Sequence, residues 1–526
     1  MRIVFLPGGE AVETDGSENL LQLARRAKVA LDSSCGGAGV CGKCKVNITS
    51  GDRMTTLACL HHPKGDMTVE LPQYAGAYKR KADMTAADRR FDADNEHAGR
   101  FRQGERFGLA FDVGTTTVVG ILMDLVTGER VGAVAEANPQ AAHGADVISR
   151  IMFAEKSSGN LMLMRDEISS CMNSIAGRLA EAGSLSKEAI WDVVIVGNTT
   201  MSHLIAGVDP GSLARAPFEP AFYDLPPGKA HEFGIEVNRG ARAGLLPNIA
   251  GHVGSDITAG IIASGILEKG GARVLIDVGT NGEIVACAGG KALACSTAAG
   301  PAFEGASIRH GMRAAAGAIE GVELLAHDLT VSTIDGAQSV GICGSGIIDA
   351  AACLVKAGLV EKSGRLITQE KALERGVSED IASRLREGEG GRELVLDREG
   401  GIVMTQKDIR EVQLAKAAMR AGVRILLGEL GACEEELDAV YIAGAFGNHI
   451  STESAVEIGL IPDVARDRIS CIGNAAGIGA CMALLSDKAR MGTARAAKEV
   501  GHVDLASNPR FQEVYLGEMS FGRVLA

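Results

Sequence analysis

The 526-residue chain predicts a small α+β domain followed by a larger, internally duplicated α/β unit. Three observations carry this. Four of the 12 cysteines lie within the first 60 residues, three of them in one glycine-rich loop flanked by strand-like patterns. The run apolar strand, Asp, apolar residue, Gly, Thr occurs twice, in "FGLAFDVGTTTVVGILMD" and in "RVLIDVGTNGEIVACAGG". Between the cysteine block and the first of these runs, residues 77–105 are charged and lack sustained apolar periodicity, as a solvated linker does. The length suits several domains rather than one. The boundaries drawn are 1–76, a linker over 77–105, and two related units over 106–206 and 207–526.

Within the first block, "MRIVFLP" and "EAVE" read as short strands, and Leu20, Leu21, Leu23 and Ala24 form the apolar face of a helix that Asp15 or Ser17 can cap. "CKVNITSG" and "DMTVELP" alternate as strands, so the block is a small sheet with one helix across it. Cys35, Cys41, Cys44 and Cys59 are spaced C-x5-C-x2-C-x14-C. Structural zinc sites usually pair two knuckles of close ligands. Here three ligands crowd one loop and the fourth stands apart, which suits a [2Fe–2S] cluster wrapped by that loop; zinc is the competing occupant. Gly36, Gly37, Gly39 and Gly42 let backbone N–H groups turn toward the sulfurs.

Composition limits the rest. Hydrophobic residues at 46% and charged residues at 23% suit a well-cored globular protein. A net charge of −13 argues against non-specific nucleic-acid binding, which needs Lys and Arg at phosphates. No run reaches the roughly 18 apolar residues of a membrane span. The N-terminus reads as a strand and turn rather than a targeting segment, so a cytoplasmic protein is expected. The eight cysteines from Cys171 to Cys481 are scattered, as buried reduced side chains are.

In the duplicated unit, each Asp-x-Gly-Thr loop joins two strands, unlike the strand-to-helix P-loop. Gly114 and Gly279 let backbone amides approach phosphate oxygens. Thr115, Thr116, Thr117, Thr280 and Asn281 offer hydrogen-bond donors, and Asp112 and Asp277 suit a hydrated Mg²⁺, which takes few carboxylates. "DAVYIAGAFGNHI" opens a loop at Gly444, Ala445, Phe446, Gly447 and Asn448 that could receive adenine and ribose. Gly473 and Asn474 open a helix in "ISCIGNAAGIGA". Asn198, Thr199 and Thr200 follow the buried strand "WDVVIV", where a cleft edge is expected, and are candidates to bind the cofactor there. Asn138 and Gln140 are candidates to orient an attacking water, with plain turn formation as the competing role; Glu304 and Arg309 line the cleft or cap a helix.

The cysteine block, with "LAC" before its last ligand, resembles plant-type and adrenodoxin-type ferredoxin domains, which implies a β-grasp fold. Its first gap is five residues rather than four and its last gap is short, so a surface loop of those ferredoxins is missing. The order of the four glycine loops resembles the actin, sugar-kinase and chaperone ATPase superfamily, which implies duplicated ribonuclease-H-like subdomains, the adenosine-binding part lying within 207–526. "NPQAAHGADVISRI", "VVIVGNTTMSHLIAGVDP", "LPNIAGHVGSDITAG", "AAGPAFEGASIRHGM" and "GICGSGIIDA" together look like the reductive activators of corrinoid proteins. That resemblance implies ATP hydrolysis coupled to electron delivery from a [2Fe–2S] cluster, returning Co(II) corrinoid to Co(I). It implies as partners a corrinoid protein or corrinoid-dependent methyltransferase and an upstream electron donor, and it implies a homodimer. Relatives with extra [4Fe–4S] clusters in a cysteine-rich tail fit less well. Three other classes compete: a small-metabolite kinase with a redox-sensing cluster, a non-catalytic redox- and nucleotide-responsive binding protein, and an ATP-driven electron donor to a non-corrinoid radical enzyme.

Overall fold

The computed structural model describes residues 1–6, 8–27, 29, 31, 37, 39, 44–49, 53–71, 99, 106–268, 270–325, 328–388, 390–444 and 449–522. The linker expected over 77–105 lies, but for Gly99, outside the described residues.

The first block is a five-stranded sheet built from β1 (Arg2–Leu6), β2 (Glu10–Glu13), β3 (Lys45–Thr49), β4 (Arg53–Leu57) and β5 (Met67–Glu70), in the order β2-β1-β5-β3-β4. Strand period two sends Ile3, Phe5, Val46, Ile48, Met67 and Val69 to one face. There they meet Leu20, Leu21, Leu23 and Ala24 of the helix Leu20–Arg26. The cap differs from expectation. Asn19 accepts from the Gln22 N–H while the Gln22 side chain accepts from the Asn19 N–H, each at 2.9 Å, a reciprocal capping box. Asp15 instead accepts from the Ser17 N–H at 2.9 Å and closes a local turn. Strand β4, not foreseen because "RMTTL" is mostly polar, exists by pairing with β3, and it leads the chain to Cys59.

The larger unit contains two six-stranded sheets. The first combines β6 (Phe107–Val113), β7 (Thr117–Asp124), β8 (Arg130–Ala137), β9 (Ile190–Gly197), β10 (Gly228–Lys229) and β11 (Arg242–Leu245), in the order β10-β11-β9-β6-β7-β8. The second combines β12 (Ala272–Val278), β13 (Gly282–Ala288), β14 (Lys291–Thr297), β15 (Leu437–Ala443), β16 (Ile469–Gly473) and β17 (Val500–His502), in the order β16-β15-β12-β13-β14-β17. In both, three antiparallel strands joined by hairpins continue into two strands that run parallel to the first. The repeat read from two loops is thus a repeat of whole sheets. The boundary drawn at 206/207 is displaced: Arg242–Leu245 pairs with β9 from Asp192 to Ile195, so the chain to at least Leu245 belongs with the first sheet.

Two helices tie the halves together. Helix Ser255–Ser264 follows the first sheet but buries Ile257 and Ile261 against Leu275 and Val285 of the second. Helix Ala475–Leu485 follows strand Ile469–Gly473 but buries Ala476, Ala480 and Leu484 against Ala110, Val194 and Val196 of the first. The helices cross where a Cβ on Gly479 would lie 2.1 Å from the Ala259 carbonyl oxygen, so only glycine allows this approach. Arg25 of the first block donates through Nη1 to the Ala142 carbonyl at 3.1 Å, joining that block to the first sheet's half.

Candidate functional site

The hairpin loops that follow β6 and β12 sit at equivalent places in the two sheets. Gly114 N–H donates to the Thr117 carbonyl at 3.0 Å, and Gly279 N–H donates to the Asn281 carbonyl at 3.1 Å. Two residues before each glycine, Asp112 and Asp277 stand near the carboxyl ends of their strands, where open α/β sheets bind ligands. Two further carboxylates, absent from the sequence reading, join them. Asp256 lies in the first turn of the crossing helix Ser255–Ser264, and Glu283 lies on β13 just after the second loop.

Their electrostatics are those of crowded anions. Burial, with the charges of Asp277 and Asp112, pushes the Asp256 carboxyl up to about 8. Burial and Asp112 push Asp277 up to about 7. Burial, Asp256 and Asp277 raise Glu283 well above the usual carboxylate range. Like charges in a low-dielectric cleft oppose one another's ionisation, and a cation removes that opposition. Among the described residues no three such side chains converge closely enough to hold an ion directly. Carboxylates that influence one another without converging on one point fit Mg²⁺, which keeps several of its waters.

The glycine after strand Leu437–Ala443 is fixed by close approach: at Gly444, φ is +100° and a Cβ would lie 2.4 Å from the Val278 carbonyl oxygen. Gly444 N–H donates to the Gly473 carbonyl at 3.0 Å, so the two helper loops are joined. Ala445, Phe446, Gly447 and Asn448 lie outside the described residues. Asn474 caps helix Ala475–Leu485 by accepting from the Gly477 N–H at 2.7 Å, and its Nδ2 donates to Asp112 at 2.8 Å. It therefore bridges the second half to Asp112 of the first.

Other candidates take supporting places. Asn198 caps helix Thr199–Ala206 and donates through Nδ2 to the Thr115 hydroxyl at 3.0 Å. Thr199, expected at the ligand, is buried, and its hydroxyl donates to the Ala250 carbonyl at 2.6 Å; Thr200 is buried beside it. Thr280 donates to Glu304 at 2.8 Å, which puts Glu304 at the second loop, whereas Arg309 pairs with Glu393 at 3.1 Å. Asn138 fills the turn-forming role. It is 1% exposed, its Oδ1 accepts from the Gln140 N–H at 3.0 Å and its Nδ2 donates to the Gly114 carbonyl at 2.9 Å. Both ends of the amide thus brace the first loop. Gln140 is fully buried and donates to the Met164 carbonyl at 2.9 Å.

Of the four cluster cysteines, Cys35 and Cys41 lie outside the described residues. Cys44 and Cys59 are buried, with sulfurs 3.3 Å apart, well beyond the roughly 2.05 Å of a disulfide. The β3–β4 hairpin makes this pair: it returns the chain antiparallel so that the residue before β3 and one just after β4 meet. Two thiols converging without a bond fit two ligands of one cluster. A Cβ on Gly37 would lie 3.9 Å from the Cys59 Cβ, so Gly37 lies beside the same pair.

Three family descriptions match successive parts of the chain: the 2Fe-2S iron–sulfur cluster binding domain over residues 5–64, the RACo middle region over 107–269, and the C-terminal domain of RACo, the ASKHA domain, over 272–524. The chain is 37% identical, over 79% of its length and 70% of the relative's, to the corrinoid activation enzyme RamQ of Eubacterium limosum. It is 28% identical, over 52% of its length and 51% of the relative's, to the [Co(II) methylated amine-specific corrinoid protein] reductase of Methanosarcina barkeri. A solved structure of a reductive activator for a corrinoid, iron–sulfur protein superposes with a TM-score of 0.71 at 30% identity, covering 99% of this chain and 98% of that one. An iron–sulfur domain before a duplicated nucleotide-binding unit, in this order and over this length, places the chain in the RACo family of reductive activators of corrinoid proteins.

Proposed function

We infer that the protein is an ATP-dependent reductive activator that delivers an electron from a [2Fe–2S] cluster to the Co(II) corrinoid of a partner protein and restores Co(I). The observation that carries this is the joining of two sites in one chain: converging buried thiols at Cys44 and Cys59, and two equivalent glycine hairpin loops beside mutually coupled buried acids. When bound, the cluster supplies a one-electron store; Cys35, Cys41, Cys44 and Cys59 would hold it. Thr115, Thr116, Thr280 and Asn281 would take the nucleotide phosphates, and Gly444 through Asn448 with Gly473 would take the adenosine. Asp112 and Asp277 would hold Mg²⁺ through its waters, with Asp256 and Glu283 behind them. Mg²⁺ stabilises charge on a transferred phosphoryl group, so most of the chain's task is positioning.

ATP is needed because the Co(I) state lies at low potential. One electron moved uphill by roughly 0.3 V costs about 7 kcal/mol, at about 1.4 kcal/mol per 59 mV. Hydrolysis supplies that order of energy only if nucleotide states differ in their grip on the partner. The crossing helices are suited to this, since each is rooted in one half and packed on the other. The placement in the cytoplasm follows from the same reading, as the corrinoid partner and its reductant would be met there; among the described residues no helix is long and apolar enough to cross a membrane. The test is anaerobic mixing of reduced protein with a Co(II) corrinoid protein, with and without MgATP. The Co(I) absorption band is expected to rise far more with MgATP. Phosphorylation of a sugar or acid without Co(I) formation would favour a metabolite kinase instead.

A further inference from the structure

Behind the first phosphate loop lies a buried cation with no ion partner at contact distance among the described residues. Arg150, in helix Val147–Ala154, is 0% exposed. Its Nε donates to the Gly144 carbonyl at 2.9 Å, its Nη1 approaches the Met201 sulfur at 3.5 Å, and its Nη2 donates to the Thr115 carbonyl at 2.5 Å. Burial draws its pKa down to about 10, with Asp146 and Glu167 opposing from farther off, so it remains charged at neutral pH. A guanidinium enclosed among carbonyls and a thioether is costly unless a negative charge lies near.

The backbone gives the direction. Three successive carbonyls of the loop are held from one side: Gly114 by Asn138 Nδ2 at 2.9 Å, Thr115 by Arg150, and Thr116 by the Asn138 N–H at 3.0 Å. In a trans peptide the carbonyl and the next N–H point in opposite directions. Gripping the Gly114 and Thr115 carbonyls therefore turns the N–H groups of Thr115 and Thr116 the other way, toward the partly exposed face of the loop. Neither amide has an acceptor among the described residues. Two adjacent free amides facing outward form an anion-binding concavity. Among the described residues the second loop has no such brace: its Thr280 hydroxyl goes to a carboxylate, Glu304.

We propose that Arg150 is a positioning residue for the nucleotide: it pins the Thr115 carbonyl so that the Thr115 and Thr116 amides meet a phosphate oxygen, and its buried charge is balanced by the phosphate held on the loop's far face. This rests on the nucleotide reading of the cleft. It makes the first loop the principal anion site and explains why a basic residue sits inside an otherwise apolar helix pattern, "VISRIMFA".

The test measures equilibrium binding of adenosine, ADP and ATP, with Mg²⁺, to the full cluster-loaded protein and to its Arg150→Met and Arg150→Lys forms. Arg150→Met is expected to weaken ADP and ATP roughly tenfold to a hundredfold, the range for hydrogen bonds to charged groups, and to leave adenosine unchanged. KM for ATP should rise more than kcat falls. Arg150→Lys, which keeps the charge but not the fork, should recover part of the loss. If Arg150→Met loses its cluster absorption or cooperative melt, Arg150→Lys decides alone: ADP must weaken while adenosine holds. Unchanged ADP affinity, or equal loss of ADP and adenosine in the folded variants, would overturn the proposal. Failure of the unaltered protein to bind ATP at all would overturn the nucleotide reading and this inference with it.

Discussion

Asn474 and the cluster cysteines show how much single side chains decide. Asn474→Ala removes a helix cap, at a cost of about 1 kcal/mol, and frees Asp112 from its 2.8 Å anchor. ATP hydrolysis is expected to fall by about tenfold while a urea melt shifts only slightly; wild-type hydrolysis would show that Asp112 needs no anchor. Cys59→Ser is expected to abolish the visible absorption of the cluster and leave ATP hydrolysis within about twofold, because the two sites are separate in the fold; absorption and activity lost together would deny that separation. At this scale the sequence was legible where a motif repeats. Asp112 and Asp277 announced themselves by their paired loops. Asp256 did not, because an acid at the start of a helix reads as ordinary capping, and Glu283 did not, because one charge in "GEIVACA" reads as a strand edge. Asn138 was ambiguous for a related reason: a polar residue after a strand can serve a ligand or a loop, and its burial favours the loop.

Among elements, the crossing of helices Ser255–Ser264 and Ala475–Leu485 is the most constrained. Gly479→Ala places a methyl group 2.1 Å from the Ala259 carbonyl oxygen, so the helices must separate. Overpacking of this kind costs about 1–3 kcal/mol. The variant is expected to melt at lower temperature and to hydrolyse ATP slowly, because the separation shifts Asn474 and with it Asp112; an unchanged melt would mean that the crossing yields freely. The strands of the duplicated unit were legible because runs such as "TVVGILMD" are buried throughout. The helix exchange was not, since nothing local tells that a helix following one sheet covers the other. The same tertiary pairing hid β4 and moved the boundary past residue 206, because Arg242–Leu245 is too short to read as a strand alone.

For the whole molecule, the question is how the cluster block and the nucleotide unit act together. Arg25, on the helix that packs beside Cys59, reaches Ala142, four residues beyond the Asn138 that braces the first phosphate loop. Arg25→Gln is expected to keep the cluster spectrum and ATP hydrolysis but to lower the Co(I) formed per ATP by a few-fold, a modest effect suited to one partly exposed hydrogen bond. Equal yield per ATP would leave this contact without a part in coupling. Architecture was the most legible level, because the order of cysteine loop, two phosphate loops and two glycine turns survives whatever the intervening packing does. The most direct test of coupled function uses Asp277→Asn protein, loaded with its cluster and reduced beforehand, mixed anaerobically with MgATP and a Co(II) corrinoid protein. ATP hydrolysis and the Co(I) band are expected to fall together, Co(I) reaching only the level seen without ATP. Hydrolysis abolished with Co(I) still formed at the unaltered protein's rate and extent would contradict the coupling of the two sites.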